Sequence, residues 1–329
     1  MISVIIPTYN MSEYLSKLLS SLKQGLLLES IGEVLVVDDG STDDTAQVLT
    51  DLMKTYPWQQ KLRIIHHPKS LGRFAARLAG IRQATYPIVL MVDSRVELSL
   101  ESSTHLIELL KSHQHLMATV RIDVSKSVFN LYWQKTHEVL FRKHYQDQKG
   151  GFYLTAENFE NYGKGTTLFL TTKEAYLAAC QGLSELEVLS DDMIILKRIS
   201  EKHPIYVTDD FFIFWEPRQN LWQFLQRMFE RGPSFVEYHF YTQKTRFFYA
   251  FIIALGFAVL ACILSLIFFQ NLYFGLLLII CGLSFSLLLF TRKPLEFVML
   301  LPLHLTTLIV FGVGILKGFV TRLSSKKSL

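Results

Sequence analysis

The chain is expected to fold as an α/β domain built on a mainly parallel sheet, followed by a C-terminal transmembrane helical region. Three observations carry this. In the first hundred residues short β-branched runs alternate with stretches of helical periodicity, the pattern of a parallel sheet with right-handed crossovers. Two of those runs, Val34 to Val37 and Ile88 to Val92, pass directly into acid at Asp38-Asp39 and at Asp93. Finally, charge nearly vanishes from the C-terminal quarter, which supplies much of the 50% hydrophobic content, whereas residues 1–245 have ordinary globular composition.

The bulk properties exclude several function classes. A net charge of +4 with no long Lys/Arg run argues against nucleic acid as a partner. The three cysteines, Cys180, Cys262 and Cys281, are odd in number, widely spaced and without metal-ligand spacing, so they read as reduced thiols. Ile2 to Ile6 is too short an apolar run for a signal peptide and is broken by Pro7.

Taken in order, Ile2 to Ile6 is a first strand closed by Pro7-Thr8-Tyr9-Asn10. Leu15, Leu18, Leu19 and Leu22 then repeat at helical spacing, giving an amphipathic helix over about 12–25 that Gly25 ends. The strand of Val34 to Val37 runs into Asp38 and Asp39, and a helix follows over about 43–55 with Ser41 or Asp43 as its cap. Because another residue can cap that helix, Asp39 is left for a ligand at the carboxyl edge of the sheet, where open α/β sheets bind their ligands. After a strand at Leu62 to His66, a loop at Lys69 to Gly72 feeds a helix of small residues carrying Arg73 and Arg77 on one face. Solvated surface charge and phosphate contact are both open to these two arginines. Ile88 to Val92 is a central strand.

Beyond residue 100 a helix is expected around Leu106 to Leu110, a strand over Met117 to Val124 and a helix over Phe129 to Tyr145. Histidines 105, 113, 115, 137 and 144 are scattered here without H-x-x-x-H spacing and read as structural. Gly163 to Leu170 is a glycine-marked turn into a strand. Ser190 before Asp191-Asp192 starts a helix, with acids in the first turn suiting its dipole. Leu221, Trp222, Leu225, Met228 and Phe229 then mark an amphipathic helix suited to a membrane interface.

The sheet's carboxyl edge excludes two chemistries. No G-x-G-x-x-G follows the first strand, which removes dinucleotide binding. Asp38-Asp39-Gly40-Ser41-Thr42 does not suit a phosphatase, whose two acids stand two residues apart on one face of the extended chain. The strings VIIPTYN, EVLVVDDGSTDDT, LGRFAARLAGI and IVLMVD, in that order and spacing, resemble the nucleotide-sugar domain of family 2 glycosyltransferases over roughly residues 1–240.

The resemblance implies a GT-A fold that holds a nucleoside diphosphate sugar at the carboxyl edge of the sheet. Pro7, Thr8, Tyr9 and Asp39 would surround the base and ribose, and Asp93 would lie by the sugar and diphosphate, with Arg77 a candidate for the phosphate contact left open above. Ser190 to Arg198 resembles the family's Glu-Asp…Arg motif. Asp192 then takes the place of the general base, and Asp191 stands where Glu is usual, on the acceptor side. A single displacement would invert the anomeric centre. The stretch Gln226 to Gly232 resembles the family's Arg-rich motif ahead of its transmembrane helices, so Arg227 and Arg231 are candidates for diphosphate, lipid phosphate or membrane-surface charge.

One departure bears on the cofactor. The family usually has Asp-x-Asp after this strand, the last Asp binding Mg²⁺ or Mn²⁺, and this chain has Asp93-Ser94-Arg95. Loss of a carboxylate weakens a site for a hard cation. Asp93 remains a candidate metal ligand, Arg95 a candidate source of positive charge at the β-phosphate, and Glu97 a candidate replacement ligand.

The expected organisation is a GT-A domain over 1–215, an amphipathic interface region over 216–245 and a transmembrane region over 246–329 with spans near 247–269, 272–290 and 296–318. The basic Arg292-Lys293 loop puts the catalytic domain in the cytosol by the positive-inside rule. Arg322, Lys326 and Lys327 also favour the cytosol, which three full spans would deny them; three spans are nonetheless expected, because Phe297 to Leu316 holds only His304 as a potentially charged group. The function expected is transfer of a sugar from a nucleotide-diphosphate sugar to a lipid-linked or polysaccharide acceptor, in cell-envelope polysaccharide synthesis. The alternative is a non-catalytic, nucleotide-binding membrane partner of such a system.

Overall fold

The computed structural model of the protein describes residues 1–23, 25–55, 57–184, 188–218, 220–270 and 272–325. Lys326 and Lys327 lie outside the described residues. The chain forms two compact units, one of residues Met1–Asp123 with Lys143–Glu216, the other of Val124–Arg142 with Pro217–Leu329.

The first unit begins with β1 (Ile2–Thr8), α1 (Ser12–Ser21), α2 (Gly25–Ser30), β2 (Ile31–Asp38), α3 (Thr45–Leu52), α4 (Trp58–Lys61), β3 (Leu62–His66), α5 (Arg73–Gln83) and β4 (Ile88–Val92). Strands β3, β2, β1 and β4 lie side by side, all parallel. Their apolar runs are buried on both faces, as central parallel strands must be, with Val4, Ile5, Ile6, Val34 to Val37 and Val89 to Met91 at 0% exposure. The small residues of α5 let it lie close on this sheet. A Cβ on Gly80 would overlap Ile5 and stand 3.0 Å from Val37 Cγ2.

The rest of the sheet comes from β5 (Val96–Glu97), β6 (Leu116–Arg121), β7 (Phe152–Leu154), β8 (Leu168–Thr172) and β9 (Ile205–Trp215), with α6 (Leu100–Leu109) covering β9. Strand β8 enters antiparallel between β4 and β6, and β9 lies parallel to β6 while β5 and β7 pair antiparallel to it. The parallel reading therefore holds for the first half of the sheet, and the second half is mixed. Gly163 to Thr167 turns the chain back along β4, so that β8 enters antiparallel, and the short strands β5 and β7 pair antiparallel with β9, which itself contains a three-residue irregularity at Asp209 to Phe211.

Two of the histidines read as structural are buried in this unit. His115 Nδ1 meets the Thr171 hydroxyl at 2.8 Å and its ring stacks on His203, and burial plus that neighbour pushes it down to about 4. His144 is also pushed down to about 4, by burial and then by Lys164, against the opposing pull of Asp209 and Asp147. Because folding lowers both values from 6.5, the unfolded chain binds the protons more tightly. Their contribution to stability is complete above pH 6.5 and is lost as pH falls towards 4. Thermal unfolding followed from pH 7.5 to 4 should show this acid decline, and His115→Gln should flatten part of it.

The second unit holds α7 (Val128–Leu140), α11 (Leu221–Val236), a π-helical turn at Glu237–Thr242, α12 (Arg246–Phe269), α13 (Tyr273–Ser286) with a short 3-10 turn at Leu287–Leu289, and α14 (Pro294–Ser325). Helices α8 (Arg142–Asp147), α9 (Lys173–Cys180) and α10 (Asp191–Ser200) precede α11 in the chain, and all of α8 but Arg142 belongs with the first unit. Among the described residues two helices are long and apolar enough to cross a membrane, Arg246–Phe268 and Pro294–Ser324, and Tyr273–Leu289 is a shorter apolar helix. The three spans expected from the sequence thus appear as two of spanning length and one that falls short of the ~20 residues a bilayer asks.

The third of those segments runs unbroken through Pro302, and His304 has both ring nitrogens occupied. Nδ1 lies 3.0 Å from the Tyr132 hydroxyl and Nε2 lies 2.8 Å from the Ser286 hydroxyl. A polar ring in an apolar helix is tolerated when its polar atoms find partners. Helix α11, expected at an interface, packs lengthwise on α14. Its buried positions Phe224, Met228, Gly232 and Val236 are four apart, and Gly232 meets Gly314 so closely that a Cβ would collide with the Gly314 backbone. Gly314 and Gly318 form the small-xxx-small face typical of close helix pairs in membranes. Gly314→Leu should separate these helices and lower the unfolding temperature in detergent, at a cost of about 1–3 kcal/mol for overpacking. Gly312→Leu, with open space around its Cβ, should leave it nearly unchanged.

Candidate active site

Strands β1, β2 and β4 run parallel, so Thr8, Asp38 and Val92 end on one edge of the sheet. The loops leaving that edge are tied to one another. Ser94 Oγ donates to the Pro7 carbonyl at 2.8 Å, the Asn10 amide N–H donates to Ser41 Oγ, and Asn10 Oδ1 accepts from the Thr42 N–H at 2.8 Å. Asp43 accepts from both the amide and hydroxyl of Ser12 and from the Thr45 N–H, so it joins the two loops as well as supporting the start of α3. Tyr9 is 45% exposed beside them, and the buried Thr8 hydroxyl has no hydrogen-bond partner among the described residues.

The adjacent acids Asp38 and Asp39 are both buried, Asp38 reaching the last residue of β3 and Asp39 the chain that follows it. Asp38 accepts from the Ser41 N–H and meets His66 Nδ1 at 3.1 Å. Asp39 has four partners, His67 Nδ1 at 2.7 Å, Ser70 Oγ at 2.7 Å, Leu71 N–H at 3.0 Å and Gly72 N–H at 2.9 Å. This carboxylate fixes the loop that leads into α5. Two glycines make the arrangement possible. Gly40 has φ +73 and packs on the Lys69 backbone, and Gly72 has φ +98 immediately before Arg73.

The start of α5 is therefore held in place, and with it the two arginines. Arg73 bonds Asp191 through Nη2 at 2.7 Å and Nε at 3.2 Å, and Arg77 Nη1 takes the other Asp191 oxygen at 2.6 Å. Asp191 and Arg77 are buried, whereas the Arg73 side chain is 37% exposed. Burial pushes the Asp191 carboxyl up, but the two guanidiniums together outweigh it and hold the group below the ordinary carboxylate range. Asp191 in turn raises Arg73 further, with smaller help from Asp192 and Asp93. Arg73 is thus the guanidinium that Asp191 and Asp192 share.

Asp192, one residue on, differs from its neighbour. It is partly exposed, accepts from the Met193 N–H at 3.0 Å and lies 3.9 Å from Arg73 Nη2. Asp93 forms a backbone bond to Thr167, and its carboxylate has no hydrogen-bond partner among the described residues. Arg95 lies over Trp215, with Cζ 5.3 Å from the centre of the ring, and pairs with no carboxylate among them. Glu97 is held by Lys17 at 2.9 Å.

The structure thus brings Asp93, Asp191, Asp192, Arg73 and Arg77 together in one unit. Arg77, expected at a phosphate, instead lies beneath Asp191 with its charge satisfied internally. Arg227 and Arg231 belong to the other unit, where Arg227 meets Glu230 at 3.4 Å and Arg231 lies 4.1 Å from the Trp133 ring. The sequence reading missed Arg73 as the hub. A usable signal was present, since Arg77 falls at helical spacing among Phe74, Leu78 and Ile81, and an arginine on a buried face requires an acid.

The residues do not fit a divalent cation. Among the described residues no group of three or more His, Cys, Asp or Glu side chains is placed to hold a metal ion. Asp93 brings one carboxylate, Ser94 turns its hydroxyl inward, and Glu97 is engaged with Lys17.

A family model described as glycosyl transferase family 2 matches residues 3–172. Among curated proteins, an undecaprenyl-phosphate 4-deoxy-4-formamido-L-arabinose transferase of Pectobacterium carotovorum is 28% identical over 143 residues, which are 43% of this chain and 43% of that protein. A dolichol-phosphate mannosyltransferase of Pyrococcus furiosus is 32% identical over 111 residues, 34% of this chain and 30% of its own. The matched stretch is less than half the length of either relative. Among solved structures, the mannosyltransferase PcManGT of Pyrobaculum calidifontis, in complex with GDP-Man and Mn²⁺, shares the fold over 96% of this chain and 86% of its own, with a TM-score of 0.64 at 17% identity. Residues 1–349 of TarS from S. aureus, in complex with UDP-GlcNAc, cover 95% of this chain and 89% of theirs, with a TM-score of 0.51 at 18% identity.

Proposed function

The chain belongs to glycosyl transferase family 2, and we propose that within it the protein moves a sugar from a nucleotide-diphosphate sugar to a lipid-linked or polysaccharide acceptor, with inversion and with Asp192 as general base. It is a glycosyltransferase with the GT-A fold. The observation that carries the finer reading is the division between two adjacent acids. Asp191 is buried and doubly paired, while Asp192 keeps one oxygen without a hydrogen-bond partner among the described residues.

In the reaction the acceptor hydroxyl gives its proton to Asp192 as its oxygen attacks the anomeric carbon. The bond from that carbon to the β-phosphate oxygen breaks, and the nucleoside diphosphate leaves. Attack from the opposite face turns an α-linked donor into a β-linked product. Tyr9 and the end of β1 at Pro7 and Thr8 form the edge that the nucleoside takes in this reading. Asp39 acts there by holding the loop before α5, and Asp93 faces the sugar and diphosphate.

The relatives named for undecaprenyl phosphate and dolichol phosphate support a lipid-linked acceptor, as do two helices of spanning length in this chain. In this reading the protein is membrane-embedded, with its catalytic unit on the cytosolic side marked by Arg292 and Lys293. A lipid phosphate is largely ionised at neutral pH and has little proton to lose, whereas a sugar hydroxyl must lose one. The size of the Asp192→Asn effect therefore reports which acceptor chemistry operates.

A second reading, a nucleotide-binding partner without turnover, is favoured by one feature, the single carboxylate of Asp93-Ser94-Arg95. Nucleotide release from a panel of NDP-sugars with added polyprenyl lipids discriminates. Turnover that disappears in Asp192→Asn supports the enzyme, and binding with no turnover from any donor supports the partner.

A further inference from the structure

We propose that the charge of the donor diphosphate is met in this protein by two guanidiniums, those of Arg73 and Arg95, in the role a divalent cation would otherwise fill. The inference rests on the nucleotide-diphosphate sugar reading above. Mg²⁺ and Mn²⁺ ask for several oxygen ligands, carboxylates foremost. At the end of β4 they would find the carboxylate of Asp93 alone, because Ser94 donates inward to Pro7 and Glu97 is paired with Lys17.

Positive charge stands at the same edge in a fixed form. Arg73 and Arg77 share the single charge of Asp191, so this trio carries one surplus positive charge. Arg77 is 4% exposed, so the surplus faces outward through Arg73. Arg73 Nη2 is 3.9 Å from Asp192, and Asp93 is near enough to act on the same guanidinium. Arg95 completes the set, its Cζ 5.3 Å from the centre of the Trp215 ring and its N–H groups without a carboxylate partner among the described residues. A guanidinium drawn to a ring by cation–π attraction still has N–H donors for oxyanions.

The formal charges explain why both arginines are needed. Arg73, Arg77 and Arg95 balance Asp93, Asp191 and Asp192, so the edge meets a dianionic diphosphate without net repulsion. Removing either exposed guanidinium leaves it negative. Arg95→Asp has the opposite virtue, since it restores Asp-x-Asp and should create a requirement for metal.

The test is calorimetric binding of UDP, GDP, CDP and dTDP, each in turn, to the full chain in detergent, with excess EDTA or with Mn²⁺. The wild-type protein should bind at least one nucleotide equally well in both conditions. Arg95→Ala and Arg73→Gln should each weaken that binding by about tenfold, the effect of losing a charge-assisted hydrogen bond, with Arg73→Lys recovering part of it. Arg95→Asp should bind only with Mn²⁺, and Mn²⁺ electron paramagnetic resonance should detect metal on that variant with nucleotide and not on the wild type. Wild-type binding that EDTA abolishes and Mn²⁺ restores overturns the proposal while leaving the donor reading intact. Unchanged affinity in Arg95→Ala, which carries no buried partner and is expected to fold, also overturns it. Failure to bind any of the four nucleotides in either condition overturns the donor reading, and the proposal with it.

Discussion

Asp192→Asn should lower kcat for transfer to a sugar hydroxyl by about 100- to 10,000-fold, the range covered by a positioned general base. Nucleoside diphosphate affinity should change little. Asparagine keeps the shape and can still accept from the Met193 N–H, but it cannot take a proton. A loss confined to kcat with KM for the donor unchanged is the signature of a group that acts at the transition state. A loss shared by kcat and donor binding would instead make Asp192 a donor ligand. With a lipid phosphate as acceptor the same variant should lose much less, because the attacking oxygen already carries its charge.

Asp191→Asn should act on stability. The carboxylate holds two arginines, and Arg77 is 4% exposed with its Nε already without a partner. Removing one member of a buried ion pair costs about 3–5 kcal/mol, since the remaining charge stays in the interior uncompensated. Arg73 is partly exposed and can turn to solvent, so the penalty concentrates on Arg77. Urea unfolding in detergent should show a loss of that order. The double variant Asp191→Asn with Arg77→Met should be less destabilised than Asp191→Asn alone, a coupling that a double-mutant cycle measures. If the double variant is as unstable as the sum of its parts, the buried charge is not the cause. Asp192→Asn, on the exposed side of the same turn, should change stability by under about 0.5 kcal/mol.

These two adjacent acids show how far the sequence could be read. Strands β1, β2 and β4 were legible because their apolar runs are short, β-branched and fully buried, which leaves no competing helical period. The acids that follow β2 and β4 were legible for the same reason, as an abrupt change of composition. The division of roles between Asp191 and Asp192 was not. It depends on Arg73 and Arg77, which lie 118 and 114 residues away and meet Asp191 only once α5 and α10 have both packed on α9. Asp39 stood out by its position at the strand end, but its four partners follow β3 and become neighbours only when β2 and β3 pair.

Other misses have equally local causes. Strand β9 carries Asp209-Asp210 at its midpoint, and the irregularity there removes the alternation by which a strand is recognised. Helix α7 was found, but its membership of the C-terminal unit was not, because contacts such as Lys135 with Glu296 at 3.3 Å and Tyr132 with His304 at 3.0 Å span more than 150 residues of chain. The apolar stretch after Leu272 was long enough in composition to read as a span. It ends early as a helix, with a 3-10 turn at Leu287–Leu289 and the helix cut short before Thr291.

Inverting transfer with Asp192 as the base is tested most directly by the mass and anomeric configuration of the product made by the full chain in membranes from α-linked NDP-sugars. The expected product is lipid-linked or a glycan, β at the new bond by nuclear magnetic resonance, and formed at under about one hundredth of the rate by Asp192→Asn when the acceptor is a hydroxyl. An α-linked product, or wild-type rates from Asp192→Asn on a hydroxyl acceptor, would contradict this reading.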